Sequence, residues 1–267
     1  MIRRPAVADV FYPASDTALR AQVEGLLPRT EAQTEAIAVV VPHAGYLYSG
    51  AVAGSVYARL NGPQTCVILG PNHSGLGAGA AIMTSGTWET PLGEVPVDAG
   101  LARAILERSR VLEEDERAHR KEHSIEAQLP FLQVLFPGVP FVPLCLMSHE
   151  YDACRDVGLA VAEAIRASGK RVLLIASTDM SHYISRDLAE RKDRMAIEAM
   201  VALDPERLHG TVLRERISMC GFHPTTAVLI AAKALGASRA ELVRYATSGD
   251  VTKDDSSVVG YAGLIVR

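Results

Sequence analysis

Four short segments of the chain place a histidine or a cysteine where an apolar run stops. They are Val41-Pro42-His43-Ala44-Gly45-Tyr46, Gly70-Pro71-Asn72-His73-Ser74, Ser177-Thr178-Asp179-Met180-Ser181-His182 and Cys220-Gly221-Phe222-His223-Pro224. The first three follow strand-like runs, Ile37 to Val41, Cys66 to Leu69 and Val172 to Ala176. In an open α/β sheet, ligands bind beyond the carboxyl ends of the strands. If these strands are neighbours, His43, His73 and His182 face one crevice. Clustered imidazoles of that kind do metal or proton-transfer chemistry.

Each residue also admits a plainer role. His43 and His73 share one arrangement, a proline just before a histidine at a strand end, and the repetition favours a site. Asp179 and His182 are three apart and share a face if the turn is helical. A carboxylate beside an imidazole fixes its tautomer and raises its basicity; alternatively, Ser177 or Asp179 caps the turn. Cys220 stands just ahead of a helix, whose N-terminus favours an ionised, metal-ligating thiolate; an inert buried thiol is the other reading. His119-Arg120-Lys121-Glu122-His123-Ser124-Ile125-Glu126 is dense in titratable groups, with His123 and Glu126 in reach at i, i+3 and Ser124 as a helix cap. It lacks the H-E-x-x-H pattern of zinc proteases. His223 reads as a loop residue at a helix entrance. Gly75 to Ala80 matches G-x-G-x-x-A, but no helical repeat follows it, as a dinucleotide site requires. Neither a nucleophile elbow nor a P-loop occurs.

Positioning these residues requires strands alternating with helices. Strands are expected at Ile37 to Val41, Cys66 to Leu69, Phe141 to Met147, Val172 to Ala176, Leu242 to Ala246 and Val258 to Val266. Helices are expected at Ala51 to Leu60, Leu101 to Arg108, Ser124 to Phe136, Val157 to Ser168, Leu188 to Met200 and Thr225 to Leu235, with hairpin or loop from Ala80 to Val97. The pattern gives an α/β fold: a single domain over 1–267, with a mixed central sheet flanked by helices.

The totals exclude several function classes. A net charge of −4 and 5% aromatic residues, with basic residues scattered, argue against nucleic acid as a partner. No apolar run reaches the roughly 18 residues of a membrane span, and the N-terminus does not read as a signal peptide. The four cysteines show no C-x-x-C spacing, which sets a reducing, cytoplasmic home as the default.

The chain resembles the Memo family, whose prokaryotic members are called AmmeMemoRadiSam system protein B. Motifs along nearly the whole length carry the resemblance: Arg4-Pro5-Ala6-Val7-Ala8-Asp9 with Phe11-Tyr12-Pro13, Pro42-His43-Ala44-Gly45-Tyr46, Glu122 to Phe131, and Val258-Val259-Gly260-Tyr261-Ala262. That family is similar in fold to the class III, LigB-type extradiol dioxygenases, whose iron is held by two histidines and a carboxylate. The resemblance implies His43, His73 and Cys220 as metal ligands, a thiolate replacing the carboxylate. It implies Asp179 and His182 as the acid–base pair and His123 as a cleft residue. Fe(II) is the first expectation for such a site, with Cu(I) or Zn(II) accepted by its softer donors. The resemblance further suggests a pathway link to radical-SAM and AMMECR-type proteins.

Three functions follow as expectations. The first is a metal-dependent oxidoreductase-like protein. The second is a non-catalytic module that binds a peptide or small acidic ligand through protonated histidines. The third is a metal-free hydrolase with Cys220 as nucleophile and His182 as base.

Overall fold

The computed structural model describes residues 1–29, 33–147 and 150–267. The strands are β1 (Ile2–Arg3), β2 (Ala38–Val41), β3 (Thr65–Pro71), β4 (Ala80–Ile82), β5 (Thr87–Thr90), β6 (Gly93–Pro96), β7 (Glu113–Glu114), β8 (Phe141–Leu146), β9 (Val172–Ser177), β10 (His182–Ile184), β11 (Ala240–Thr247) and β12 (Val258–Val266). The helices are α1 (Asp16–Leu26), α2 (Tyr46–Tyr57), α3 (Ala99–Leu106), α4 (Leu129–Leu135), α5 (Tyr151–Ser168), α6 (Arg186–Val201), α7 (Pro205–Arg214), α8 (Phe222–Ala234) and α9 (Gly249–Thr252). No helix among the described residues is long and apolar enough to cross a membrane.

Strands β2, β9, β3 and β8 are apolar along nearly their whole length and buried at every position. Strands covered on both faces have this composition, and parallel strands usually are. They lie side by side in the order β2-β9-β3-β8, all parallel. On the β2 side the sheet turns antiparallel through β12, which also pairs with β10 and β11. On the β8 side, β4 adds antiparallel and carries β7. Helices flank this mixed sheet, α8 lying along β9 and β3 and backed by α5. A second, three-stranded sheet joins β1, β5 and β6. Because β9 runs between β2 and β3 in the same direction, the three segments that follow them leave from one edge.

Element boundaries shift where side chains are used elsewhere. The helix expected over Ser124 to Phe136 begins only at Leu129, after a 3-10 turn at Glu126–Gln128. Pro130 suits a first helical turn, and Glu126 and Gln128 turn inward to bond other segments. Helix α2 starts at Tyr46 rather than Ala51, and α5 at Tyr151 rather than Val157. Helices α1 and α7 stand outside the expected set, although both carry cap signals: Ser15 accepts from the Ala18 amide, and Asp204 from the Arg207 amide with Pro205 next to it.

The N-terminal segment is strapped to the loop that carries Glu122 and His123. Arg3 is 2% exposed. Its guanidinium pairs with Glu126, donates to the carbonyls of His119 and Glu122, and lies 4.2 Å over the Trp88 ring. Glu126, fully buried, also accepts from the amides of Ala6 (2.8 Å) and Val7 (3.1 Å) and from the Tyr12 hydroxyl.

Beneath this strap His119 is fully buried, its Nδ1 3.3 Å from Cys145 Sγ. Burial, with the Arg3 charge second, pushes its pKa down to about 3. The unfolded chain takes up this proton below about 6.5, and the folded chain not until about 3. Stability is therefore complete above 6.5 and lost as pH falls through that window. Between pH 7 and pH 5 the His119 contribution to that loss is about 2 kcal/mol. Urea denaturation of wild type and His119→Gln at both pH values is expected to show a smaller acid loss in the variant. Equal losses would reject the assignment.

Candidate metal centre

The site is assembled by close backbone approaches at the strand ends. A Cβ on Gly221 would lie 2.5 Å from the Ser177 carbonyl oxygen, and one on Gly70 2.3 Å from Ser124 Oγ. Glycine at these two positions lets the Cys220 loop meet the end of β9, and the Ser124 loop meet β3.

His43, His73 and His123 each direct a ring nitrogen into one space, and these three atoms lie within 4.8 Å of one another. The ring centroids of His43 and His73 are 5.2 Å apart, those of His43 and His123 5.4 Å. His73 and His123 stack at 4.4 Å with 20° between planes, and Phe11 meets His123 edge-on at 4.8 Å. Cys220 Sγ lies 3.3 Å from His43 Nε2, and Asp179 Oδ2 4.0 Å from the same nitrogen.

Glu122 organises the cluster from below and is fully buried. Its Oε1 accepts from His73 Nδ1 (2.9 Å) and from the amides of His123 (2.9 Å) and Ser124 (2.8 Å); its Oε2 accepts from the His73 amide. Burial works against its charge, but the bond from His73, the charges of His73 and His123 and the amide bonds prevail, and its pKa falls to about 2. Burial likewise opposes the His73 cation, yet the Glu122 bond and charge outweigh it and raise that pKa. His43 is pushed down by burial and then by the His123 and His73 imidazoles; His123 is pushed down by burial, which prevails over the opposing Glu122 charge. They are neutral near pH 7, the form that ligates metals.

Cys220 lies ahead of α8 and beside His43, as expected, whereas Asp179 and His182 take partners other than each other. The stretch after β9 is not helical, so the i, i+3 pairing of Asp179 with His182 does not form. Asp179 Oδ1 instead accepts from the His43 amide at 2.8 Å, and burial raises its pKa. His182 opens β10, and its Nδ1 faces the Ser218 carbonyl at 2.8 Å. A carbonyl only accepts, so Nδ1 carries the proton and Nε2 of the neutral ring is bare. Cys220 does precede a helix N-terminus, but its thiol pKa is raised, first by burial and then by the Asp179 charge. The Asp179 amide donates to Cys220 Sγ at 3.2 Å. His223 lies within α8, buried, with its ring 3.5 Å from that of Phe222.

Sequence reasoning placed His123 as a cleft residue and assigned Glu122 nothing. The structure puts His123 in the histidine cluster and Glu122 under two of its members. The available signal was adjacency: a carboxylate next to a histidine, in a loop already dense in titratable groups. What hid it was the loop's long-range partner, since Glu122 bonds His73 from 49 positions away.

The donor set fits a divalent or soft monovalent cation: three imidazoles share one space, a thiol and a carboxylate stand beside His43 Nε2, and a buried carboxylate orients the His73 ring. A match to the Memo-like protein family runs over residues 3–265. A MEMO1 family protein of Methanopyrus kandleri is 46% identical over 281 residues, covering 100% of this chain and 99% of its own. One from Methanothermobacter thermautotrophicus is 45% identical over 276 residues, covering 99% and 100%. In fold, the chain is similar to the crystal structure of an uncharacterized protein of Escherichia coli K12, with a TM-score of 0.56 at 17% identity, covering 85% of this chain and 98% of that one. The chain belongs to the Memo-like protein family.

Proposed function

We propose that this chain works as one Memo-like domain that binds a metal ion, Fe(II) first and Cu(I) or Zn(II) as alternatives, and serves as an oxidoreductase-like protein. The observation that carries the reading is the convergence of His43, His73 and His123 within 4.8 Å, with Cys220 Sγ against His43. His43 and His73 are the two ligands that every version of the site retains, and Cys220 is the thiolate candidate for the third. When bound, an iron or copper ion would supply Lewis acidity and one-electron chemistry. The chain's own residues do the rest. Glu122 holds His73 in place, and Asp179 fixes the backbone at His43. His182, with a bare Nε2 and an anchored Nδ1, is the base that accepts a substrate proton, with Ser218 rather than Asp179 as its anchor. The location is taken as cytoplasmic. The substrate is a small molecule or peptide, and partnership with radical-SAM and AMMECR-type proteins is part of the same proposal.

The competing reading is a non-catalytic cleft for a peptide or small acidic ligand, and pH separates the two. Protons compete for imidazole and thiolate ligands, so metal binding weakens as pH falls below about 6.5. Cationic histidines would bind an anion more tightly over the same range. Protein prepared without oxygen is expected to retain near-stoichiometric Fe(II) or Zn(II) in equilibrium dialysis at pH 7.5 and to lose it toward pH 5.5. Sub-stoichiometric metal at pH 7.5, with inorganic phosphate binding that strengthens in acid, would replace this reading by the competing one.

A further inference from the structure

We infer that Ser177, the last residue of β9, is a positioning residue: it fixes His43 as its Nδ1–H tautomer and so presents an unprotonated Nε2 to the cluster. The protons available around Ser177 Oγ fix this tautomer. Ser177 Oγ is fully buried and has three neighbours within hydrogen-bond distance: the Ser124 carbonyl oxygen at 2.7 Å, Gln128 Nε2 at 2.8 Å and His43 Nδ1 at 2.9 Å.

The Ser124 oxygen can only accept, so the single hydroxyl proton of Ser177 goes there. The orientation of Gln128 is also fixed. Its Nε2 lies 3.0 Å from the Pro42 carbonyl oxygen, which again can only accept, while its Oε1 takes the Tyr57 hydroxyl at 2.9 Å. The two protons of Gln128 Nε2 therefore go to Ser177 Oγ and the Pro42 carbonyl, its two nearest acceptors; the Ser124 carbonyl oxygen is farther, at 3.5 Å. With its proton committed and one lone pair taken, Ser177 can meet His43 Nδ1 only as an acceptor. His43 must donate from Nδ1, and Nε2 carries the lone pair.

That nitrogen is the one 3.3 Å from Cys220 Sγ and 4.0 Å from Asp179 Oδ2. The same result arises independently at His73, whose Nδ1 is tied to the Glu122 carboxylate. Two unrelated devices, a serine relay and a buried carboxylate, thus turn the same ring nitrogen outward on the two repeated strand-end histidines. His123 differs: neither of its ring nitrogens has a hydrogen-bond partner among the described residues, and Glu122 Oε1 stands 3.7 Å from its Nδ1. The cluster therefore consists of two rings with fixed tautomers and one without. The tautomer assignment stands on hydrogen bonds alone, whereas its consequence for metal affinity rests on the metal-centre reading.

The test uses full-length protein labelled with 15N-histidine and stripped of metal. Two-bond 1H–15N correlation spectra distinguish the tautomers, and His43 is assigned by the signals lost in His43→Ala. At a pH high enough to leave His73 neutral against the Glu122 carboxylate, wild type is expected to show His43 and His73 as Nδ1–H forms. In Ser177→Ala, His43 is expected to shift toward Nε2–H, while His73 does not change. Zn(II) affinity, read by chelator competition, should fall by about 10–100-fold, the usual effect of losing a residue that orients a ligand. Ser177→Thr, which keeps the hydroxyl, should restore both readouts. An Nε2–H form of His43 in wild type, or an unchanged tautomer in a folded Ser177→Ala, would overturn the inference. If Ser177→Ala does not fold, the wild-type spectrum still decides the tautomer. If wild type has the expected tautomers but binds no Zn(II), Fe(II) or Cu(I), the metal-centre reading fails and the tautomer assignment stands.

Discussion

Replacing Glu126 by alanine is expected to destabilise the protein by about 3–5 kcal/mol, the range for removing one partner of a buried ion pair. The cost comes from what is left behind. Arg3 would remain buried with its charge uncompensated against the Trp88 face, and the amides of Ala6 and Val7 and the Tyr12 hydroxyl would lose their acceptor. Each unsatisfied buried polar group adds its own desolvation penalty. Replacing both partners, as in Arg3→Met with Glu126→Met, should recover the part of the loss that comes from the uncompensated charge, while the amides of Ala6 and Val7 and the Tyr12 hydroxyl stay without their acceptor. The measurement is the urea midpoint of the two single variants and the double variant, with the slope checked for constancy. Additive single effects, or a loss below about 1 kcal/mol for Glu126→Ala, would show that the pair does not couple. Because the strap is tied to the loop bearing Glu122 and His123 through Arg3 and Glu126, loss of Glu126 is also expected to loosen the metal centre.

The parts of this molecule most legible in its sequence are those set by short-range pattern. The strand runs Val172 to Ala176 and Val258 to Val266 could be read from apolar composition, and the crevice at the ends of β2, β3 and β9 from the residues that follow them. Strand order was not legible, since nothing local states that β9 separates β2 from β3. The same limit hid the roles of polar residues whose partners lie far away in the chain. Glu126 and Gln128 fit a helical repeat, yet each is turned inward by bonds spanning up to 123 and 86 positions, and the helix begins after them. Ser177, for which a turn cap is the alternative local role, faces His43 across 134 positions. Asp179 and His182, three apart, were paired by proximity in sequence, but the chain continues into β10 and each finds another partner. For Glu126, Gln128, Ser177 and Asp179 a local rule gave a sound default and a buried long-range hydrogen bond outweighed it, because leaving such a group unpaired costs more than forgoing a cap or an i, i+3 contact.

Removal of individual donors is expected to rank the ligands. His43→Ala and His73→Ala should each weaken Fe(II) and Zn(II) binding by more than the roughly 10–100-fold typical of losing an orienting neighbour, since each deletes a donor that both three-ligand combinations require. The third donor is decided by contrast. Cys220 Sγ stands 3.3 Å from His43 Nε2 and receives the Asp179 amide proton, a bond that favours the thiolate once a cation is present to offset the carboxylate. His123 is stacked flat on His73, and its ring is not oriented by a hydrogen bond among the described residues. Cys220→Ser is therefore expected to weaken binding more than His123→Ala, and the difference should be larger for Cu(I) than for Fe(II), because thiolate is the softer ligand. Chelator competition under anaerobic conditions gives the three affinities, and urea midpoints establish that each variant is folded at the assay temperature. A large loss in His123→Ala with none in Cys220→Ser would assign the ion to the three imidazoles. Unchanged affinity in both His43→Ala and His73→Ala would remove the metal from this crevice altogether.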